Sequence, residues 1–272
     1  MNTEKYTYTK DDVAKGATLE IQAFKETATP CNAQAILFAG QPAVGKSVVT
    51  AMLDRDFYII DADDYRIYHP KYHDIERLEG KEAPQYTGKF AGAVCESVID
   101  QLTRQGANVI IQGTGRNFET PHTTASLLKQ KGYHIDLYVV ACPIKVSTAS
   151  IFKRYYEMSA NGETGRFSNI DHTKTVLDAL PKNVDRLYES HVFDNMYIVN
   201  RANTALWSNT HPAKASQVLI QEFLRPLTLE EEEWITATKK LLTQTVPNPQ
   251  AEIQAMDKSI ESMYTYVKEI YS

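Results

Sequence analysis

The residues with the clearest chemical meaning form one run, Gly40–Ser47, which fits the pattern G-x-x-x-x-G-K-[ST]. Glycines in this pattern let the backbone curl, so that successive N–H groups point at phosphate oxygens. Lys46 supplies a mobile ammonium group for the β- and γ-phosphates, and the Ser47 hydroxyl suits Mg²⁺. The run predicts a nucleoside triphosphate site built from Gly40, Gln41, Pro42, Ala43, Val44, Gly45, Lys46 and Ser47.

This run alone does not separate a kinase from a GTPase, a motor ATPase or a nucleotide switch. A second feature is the acidic stretch Asp61-Ala-Asp63-Asp64, which follows an apolar run directly. Ligands bind at the carboxyl ends of parallel strands, so these carboxylates can face the γ-phosphate. One of them can accept a hydroxyl proton or align the attacking oxygen. Helix capping is an equally good interpretation of the same residues.

Two arginines and one turn add to this set. Arg154 lies in a predicted helix, and Arg166 lies in a Gly-containing stretch, about residues 160–170, that suits a lid. Lid arginines stabilise the charge of a moving phosphoryl group, although either one alone is more often a surface charge. In the turn Gln112-Gly-Thr-Gly-Arg116, Thr114 and Arg116 can hold a polar substrate, or the glycines can simply serve a strand-to-helix turn.

The elements that must position these residues alternate along the chain. Five short apolar runs predict strands that are buried on both faces, namely 35–39, 57–61, 108–112, 135–141 and 196–200, with 205–208 as a further pairing candidate. Helical periodicity at 94–102 and 144–159 separates some of them, and Thr120-Pro121 predicts a helix start. We expect an α/β fold: a P-loop kinase three-layer α/β/α domain with a mostly parallel sheet and extra C-terminal helices.

The expected domain covers residues 1–226, with a covering helix at about 11–27, a core at about 35–210 and the lid at about 160–170. For residues 227–272 we expect two helices, separated by the segment 246–249. Their dense charge favours a solvated helical appendage over a partner-binding element.

Composition narrows the class of protein further. The chain has 272 residues, 43% of them hydrophobic, and a formal net charge of −5, which gives no global field for nucleic acid or anionic membrane. The polar start lacks a secretory signal, and no apolar run is long enough to span a bilayer. Cys31, Cys95 and Cys142 are scattered, which indicates reduced thiols rather than disulfides or a metal site. We therefore expect a cytoplasmic protein without nucleic-acid or membrane partners.

Taken together, these residues resemble the zeta toxin family, the kinases of bacterial toxin–antitoxin pairs, over about residues 35–190. The resemblance is carried by an ordered series of pieces: Gly40–Ser47, Asp61 and Asp63 with His69-Pro70, Glu96 in a helix, Gly113-Thr-Gly-Arg116, Arg154-Tyr155 and Arg166. It implies phosphorylation of UDP-N-acetylglucosamine with ATP and Mg²⁺, which depletes a peptidoglycan precursor. It also implies a small antitoxin that covers the nucleotide site.

Carried over by position, the resemblance implies a role for each residue. Asp63 would be the base that takes the sugar hydroxyl proton, and Lys46 would grip the phosphates. Arg154 and Arg166 would stabilise the transferring charge. The implied sugar-nucleotide contacts are Asp63, Glu96, Gln112, Thr114 and Arg116.

Some positions depart from the family pattern. Family members often carry Glu where this chain has Gln112, and many have Gly-Ser where it has Ala43-Val44. Glu96 lies off the apolar stripe of its helix, so periodicity alone assigns it to a solvated face. Two alternatives stay open: a kinase of another metabolite or antibiotic, and a non-catalytic module that binds partners in a nucleotide-dependent way.

Overall fold

Six strands form one sheet in a computed structural model that describes residues 5–22, 33–53, 56–162 and 167–272. The strands are β1 Gln34–Ala39, β2 Tyr58–Ile60, β3 Val109–Ile111, β4 His134–Val140, β5 Asn195–Val199 and β6 Ala205–Ser208. Their order is β2-β3-β1-β4-β5-β6, and all are parallel except β6, which runs antiparallel to β5. The predicted fold class is confirmed.

Both faces of the sheet are buried, which explains why the strands are continuously apolar. In β1, Leu37 packs into one hydrophobic cluster while its neighbours Ile36 and Phe38 pack into a second one. Cys95 and Cys142 are buried and free, one in each cluster, whereas Cys31 lies outside the described residues.

Helices cover the sheet between the strands. They are α1 Lys10–Gln22, α2 Lys46–Met52, α3 Tyr72–Glu79, α4 Ala83–Arg104, α5 Glu119–Gln130, α6 Ile144–Ala160, α7 Ile170–Glu189 and α8 Ala215–Leu224. The predicted cap at Thr120 is wrong. Helix α5 begins at Glu119, one residue before Thr120. The first N–H groups of a helix have no partner within the helix, and the side chain of Asn117 accepts the N–H of Glu119 at 2.9 Å. None of the described helices is long and apolar enough to cross a bilayer.

The predicted covering helix is present as α1. Its start is fixed by Thr9 and Asp12, whose side chains each accept the backbone N–H of the other. Gly16 allows close packing, since a Cβ there would lie 3.2 Å from Tyr68 and from Val94. The end of the prediction, residues 23–27, lies outside the described residues.

Two further helices follow Pro226, as predicted: α9 Leu229–Thr245 and α10 Pro249–Ile270. They are not a solvated appendage. Met263 and Val267 of α10 are fully buried and belong to the main hydrophobic cluster, and Leu242 of α9 is fully buried with α6. Burial of apolar surface drives this docking, and the charged side chains occupy the outer face. A domain boundary at residue 226 stays a prediction.

Candidate active site

The run Gly40–Ser47 connects β1 to α2 and needs unusual backbone angles. Gly40 has φ 143° and Gly45 has φ 104°, both in the region that favours glycine. At Gly40 a Cβ would come within 2.6 Å of the carbonyl oxygen of Val140, so a side chain would clash with backbone. Ala43 also adopts a left-handed conformation, with φ 57°. The loop curls as the pattern requires, even though Ala43 replaces a glycine.

Lys46 is the first residue of α2, and its ammonium group bends back over the loop. Its Nζ donates to the carbonyl oxygens of Gly40 at 3.1 Å and Gln41 at 3.4 Å. Burial lowers the pKa of Lys46 from 10.5 to about 8, with Arg154 acting in the same direction and Asp61 and Asp63 opposing it. All three groups line the same cleft as Lys46.

Two carboxylates follow β2, Asp61 and Asp63, and both line the same cleft as the phosphate loop. The side chain of Asp61 accepts the N–H of Asp63 at 2.9 Å, a local contact within the turn that leads into the next helix. Asp63 precedes the short 3₁₀ helix Asp64–Tyr68, but its side chain makes no capping bond there. Instead Asp63 lines the cleft and binds Arg66, with Nη2–Oδ1 at 2.7 Å. Burial, then Asp63, raises the pKa of Asp61.

The turn after β3 forms another wall of the cleft. Gln112 donates its side-chain amide to Thr50 Oγ1 at 2.8 Å, which ties the turn to α2. The carbonyl of Thr114 accepts the N–H of Gly40 at 3.2 Å, which ties it to the phosphate loop. The Arg116 Nη1 lies 3.2 Å from His172 Nδ1 on α7. Burial and the charge of Arg116 lower the pKa of His172.

Arg154 reaches the cleft from α6, where its Nη2 donates to Ser168 Oγ at 3.0 Å. Arg166 and the centre of the predicted lid, residues 163–166, lie outside the described residues. Lys46, Asp63, Gln112, Thr114, Arg116 and Arg154 line one cleft of about 1280 Å³.

Glu96 is not brought to this cleft. Helix α4 turns Val94, Cys95 and Val98 to the core, and this leaves Glu96 exposed and outside the cleft lining. The periodicity of α4 predicts this exposure, and only the family resemblance implies a place for Glu96 in the site. Its binding role stays a prediction that the geometry does not support.

Sequence reasoning missed several residues that line the same cleft, namely Arg66, Lys153, His172, Arg201 and Trp234. Arg201 carried a usable signal, because it follows β5 at the carboxyl edge of the sheet, where ligands bind. Trp234 carried none, since it lies in a charged helix far along the chain.

A sheet of parallel strands with a G-x-x-x-x-G-K-S loop after its first strand defines the P-loop class of α/β proteins. Within this class, the family model described as Zeta toxin matches residues 18–211. The chain therefore belongs to the zeta toxin family, the toxins of toxin–antitoxin systems.

Known relatives agree with this assignment. The toxin PezT of Streptococcus pneumoniae is 30% identical over 76% of this chain and 82% of its own length. The toxin zeta of Streptococcus pyogenes is 29% identical over 70% of this chain and 67% of its own length. A solved chain of the PezAT toxin–antitoxin system of S. pneumoniae superimposes with a TM-score of 0.75 at 27% identity, covering 89% of this chain and 99% of that one.

Proposed function

We infer that this chain is an ATP-dependent phosphotransferase that moves the γ-phosphate of ATP to a hydroxyl group of UDP-N-acetylglucosamine. The observation that carries this inference is the meeting of Lys46, Asp63 and Arg154 at one cleft beside the phosphate loop. A binding module needs the loop and the lysine, whereas transfer also needs a carboxylate and a second cation at the reacting end.

On the donor side, the N–H groups of the loop and the ammonium of Lys46 hold the β- and γ-phosphates. Two groups at this end of the loop could bind a metal, the exposed Ser47 hydroxyl and the Asp61 carboxylate. Both are oxygen ligands, which Mg²⁺ prefers. Bound there, Mg²⁺ would neutralise phosphate charge. Among the described residues no group of three or more His, Cys, Asp or Glu side chains could hold a metal, so phosphate oxygens would complete its shell.

On the acceptor side, the hydroxyl oxygen of the sugar attacks the γ-phosphorus while its proton passes to Asp63. The bond between the γ-phosphorus and the oxygen bridging it to the β-phosphorus breaks, and the electron pair leaves with ADP. Arg154 offsets the negative charge on the phosphoryl group during this exchange. Arg166 would add a second cation by family resemblance.

The acceptor lies against the turn after β3. Gln112 and Thr114 offer neutral hydrogen-bonding groups, and Arg116, whose guanidinium contacts His172, offers a cationic end. This combination suits a ligand that has both hydroxyl groups and a diphosphate, because a forked guanidinium binds phosphate oxygens well. A sugar nucleotide carries both.

The biological setting follows from the family. A toxin that consumes UDP-N-acetylglucosamine blocks cell-wall synthesis in the cytoplasm, where this precursor is made, and requires a neutralising partner. The PezAT structure belongs to a toxin–antitoxin system, and we propose a small antitoxin that covers the nucleotide site of this chain as well. The net charge of −5 favours neither nucleic acid nor membrane as a further partner.

Transfer can be tested by mass spectrometry after incubation with ATP, Mg²⁺ and UDP-N-acetylglucosamine. We expect an added phosphoryl group with the wild type and a loss of about 10²- to 10⁴-fold in rate with Asp63→Asn. Asp64→Asn is the matched control, because Asp64 is exposed and lies outside the cleft lining. Full transfer by Asp63→Asn would contradict the mechanism. Transfer only to another metabolite in a panel would show that UDP-N-acetylglucosamine is not the acceptor. ATP binding without transfer to any metabolite would indicate that the protein is a nucleotide-dependent binding module.

A further inference from the structure

The chain contains two tryptophans, and they lie in different surroundings. Trp207 on β6 is buried, and its Nε1 donates to the carbonyl of Ala213 at 2.8 Å. Trp234 on α9 is half-buried and lines the cleft that contains the phosphate loop. One side chain of the C-terminal helices therefore belongs to the nucleotide cleft.

Arg201 connects Trp234 to the phosphate loop. Its Nε donates to the carbonyl of Val44 at 2.9 Å, and its Nη2 donates to the carbonyl of Ala43 at 2.8 Å. The Cζ of the same guanidinium lies 5.3 Å from the centre of the Trp234 ring. A Cβ on Gly45 would come within 3.1 Å of Arg201, which shows how closely this side chain packs on the loop.

The strand order decides which end of a nucleotide meets Trp234. The groups at the reacting end, Asp63 and Gln112, follow β2 and β3, which lie on one side of β1. Arg201 follows β5, which lies on the other side of β1. The loop after β1 lies between them, so a triphosphate that crosses the loop with its γ-phosphate toward Asp63 directs its nucleoside toward β5, Arg201 and Trp234.

We propose that Trp234 forms one wall of the subsite for the base of the donor nucleotide, so that α9 is part of the active site; this rests on the proposed ATP-dependent function. The ligand is an aromatic nucleobase, for which a flat indole offers a stacking or edge contact. Lys153, whose Nζ lies 5.9 Å from the same ring and pairs with Glu157, adds polar groups at this wall. Phe167 is another aromatic of the cleft lining, but its ring already meets Phe152 and Tyr155 edge-on.

The test compares ATP with inorganic tripolyphosphate, which has the phosphates and lacks the base. In Trp234→Leu we expect ATP to bind about tenfold more weakly by calorimetry, with tripolyphosphate binding unchanged. Trp234→Phe keeps an aromatic surface and restores most of the ATP affinity. Phe167→Leu tests the other aromatic ring of the cleft and loses less ATP affinity than Trp234→Leu. Leu229→Ala is the matched control, because Leu229 lies on the same helix, is 71% exposed and lies outside the cleft lining, and it leaves both affinities unchanged.

Fluorescence provides a second readout, because excitation at the red edge of the indole band selects the two tryptophans over the sixteen tyrosines. ATP changes the emission of the wild type and of Trp207→Phe, and it leaves the emission of Trp234→Phe unchanged. Equal ATP affinity in Trp234→Leu and the wild type, or a loss confined to Phe167→Leu, would overturn the proposal while the kinase function stood. Absence of both ATP and tripolyphosphate binding in the wild type would instead overturn the proposed function.

Discussion

Arg66 holds the carboxylate of Asp63 with two hydrogen bonds to Oδ1, from Nε at 2.9 Å and from Nη2 at 2.7 Å. The remaining nitrogen of the same guanidinium, Nη1, donates to the carbonyl of Pro84 at 2.7 Å and to Thr87 Oγ1 at 2.8 Å. The first turns of α4 thus fix Arg66, and Arg66 fixes Asp63. This chain of contacts sets the position of the proposed base relative to the phosphate loop.

We predict that Arg66→Met lowers kcat by about 100-fold, because a misplacement of about 1 Å at the reacting groups costs this much. The KM for ATP changes little, since Arg66 does not touch the phosphate loop. Steady-state kinetics on the purified variant measure both. Arg77→Met is the matched control, because Arg77 pairs with Asp74 on the exposed face of α3 and keeps the wild-type kcat. An equal fall in the two variants would count against a positioning role for Arg66.

We predict that ATP binding is coupled to protonation of Lys46. Its pKa is about 8, below the ordinary 10.5, so much of it is neutral at pH 8.5 in the free protein. Bound phosphates favour the ammonium form, so ATP binding takes up a proton above pH 8 and takes up almost none at pH 7. Affinity therefore falls as pH rises through about 8. Calorimetry in two buffers of different ionisation enthalpy measures the uptake, and equal uptake at pH 7 and pH 8.5 would contradict the prediction.

We predict that loss of the Arg201 side chain weakens the phosphate-binding loop itself. Arg201→Met removes the donors that hold the part-buried carbonyls of Ala43 and Val44, and loss of a donor to a buried carbonyl costs at most about 1–3 kcal/mol. We expect ATP and tripolyphosphate to lose affinity together, by about tenfold or more, in contrast to Trp234→Leu. Arg104→Met, which breaks only an exposed pair with Asp100, serves as the control and binds both ligands normally.

We predict that truncating a buried side chain of the C-terminal helices lowers the stability of the protein. Met263 of α10 is fully buried in the main hydrophobic cluster, so Met263→Ala lowers the free energy of unfolding by about 2–5 kcal/mol. Leu229 of α9 is 71% exposed, and Leu229→Ala changes it by less than about 0.5 kcal/mol. Urea denaturation followed by circular dichroism measures both. Equal stability of the two variants would mean that α10 docks without supporting the core.

The sequence alone predicted the parts of this protein that depend on neighbours in the chain. The apolar runs predict the ends of the strands within one or two residues. A strand that is buried on both faces is apolar along its whole length, so its sequence marks where it begins and ends. The loop Gly40–Ser47 is contiguous, so its pattern specifies its own geometry. Asp63 and Arg154 could be expected at the cleft from their places after a strand and on a crossover helix, and the family resemblance then assigned their roles.

The tertiary structure decided what depends on distant segments. Arg201 and Trp234 lie far from the phosphate loop in the chain, and they meet it only because β5 and α9 pack beside it. The same packing turned the C-terminal helices from an expected appendage into part of the core and of the cleft, and it left Glu96 outside. Charge density along a helix indicates which face meets water, but the partner of the opposite face is set by the shapes of remote side chains, which no local pattern contains.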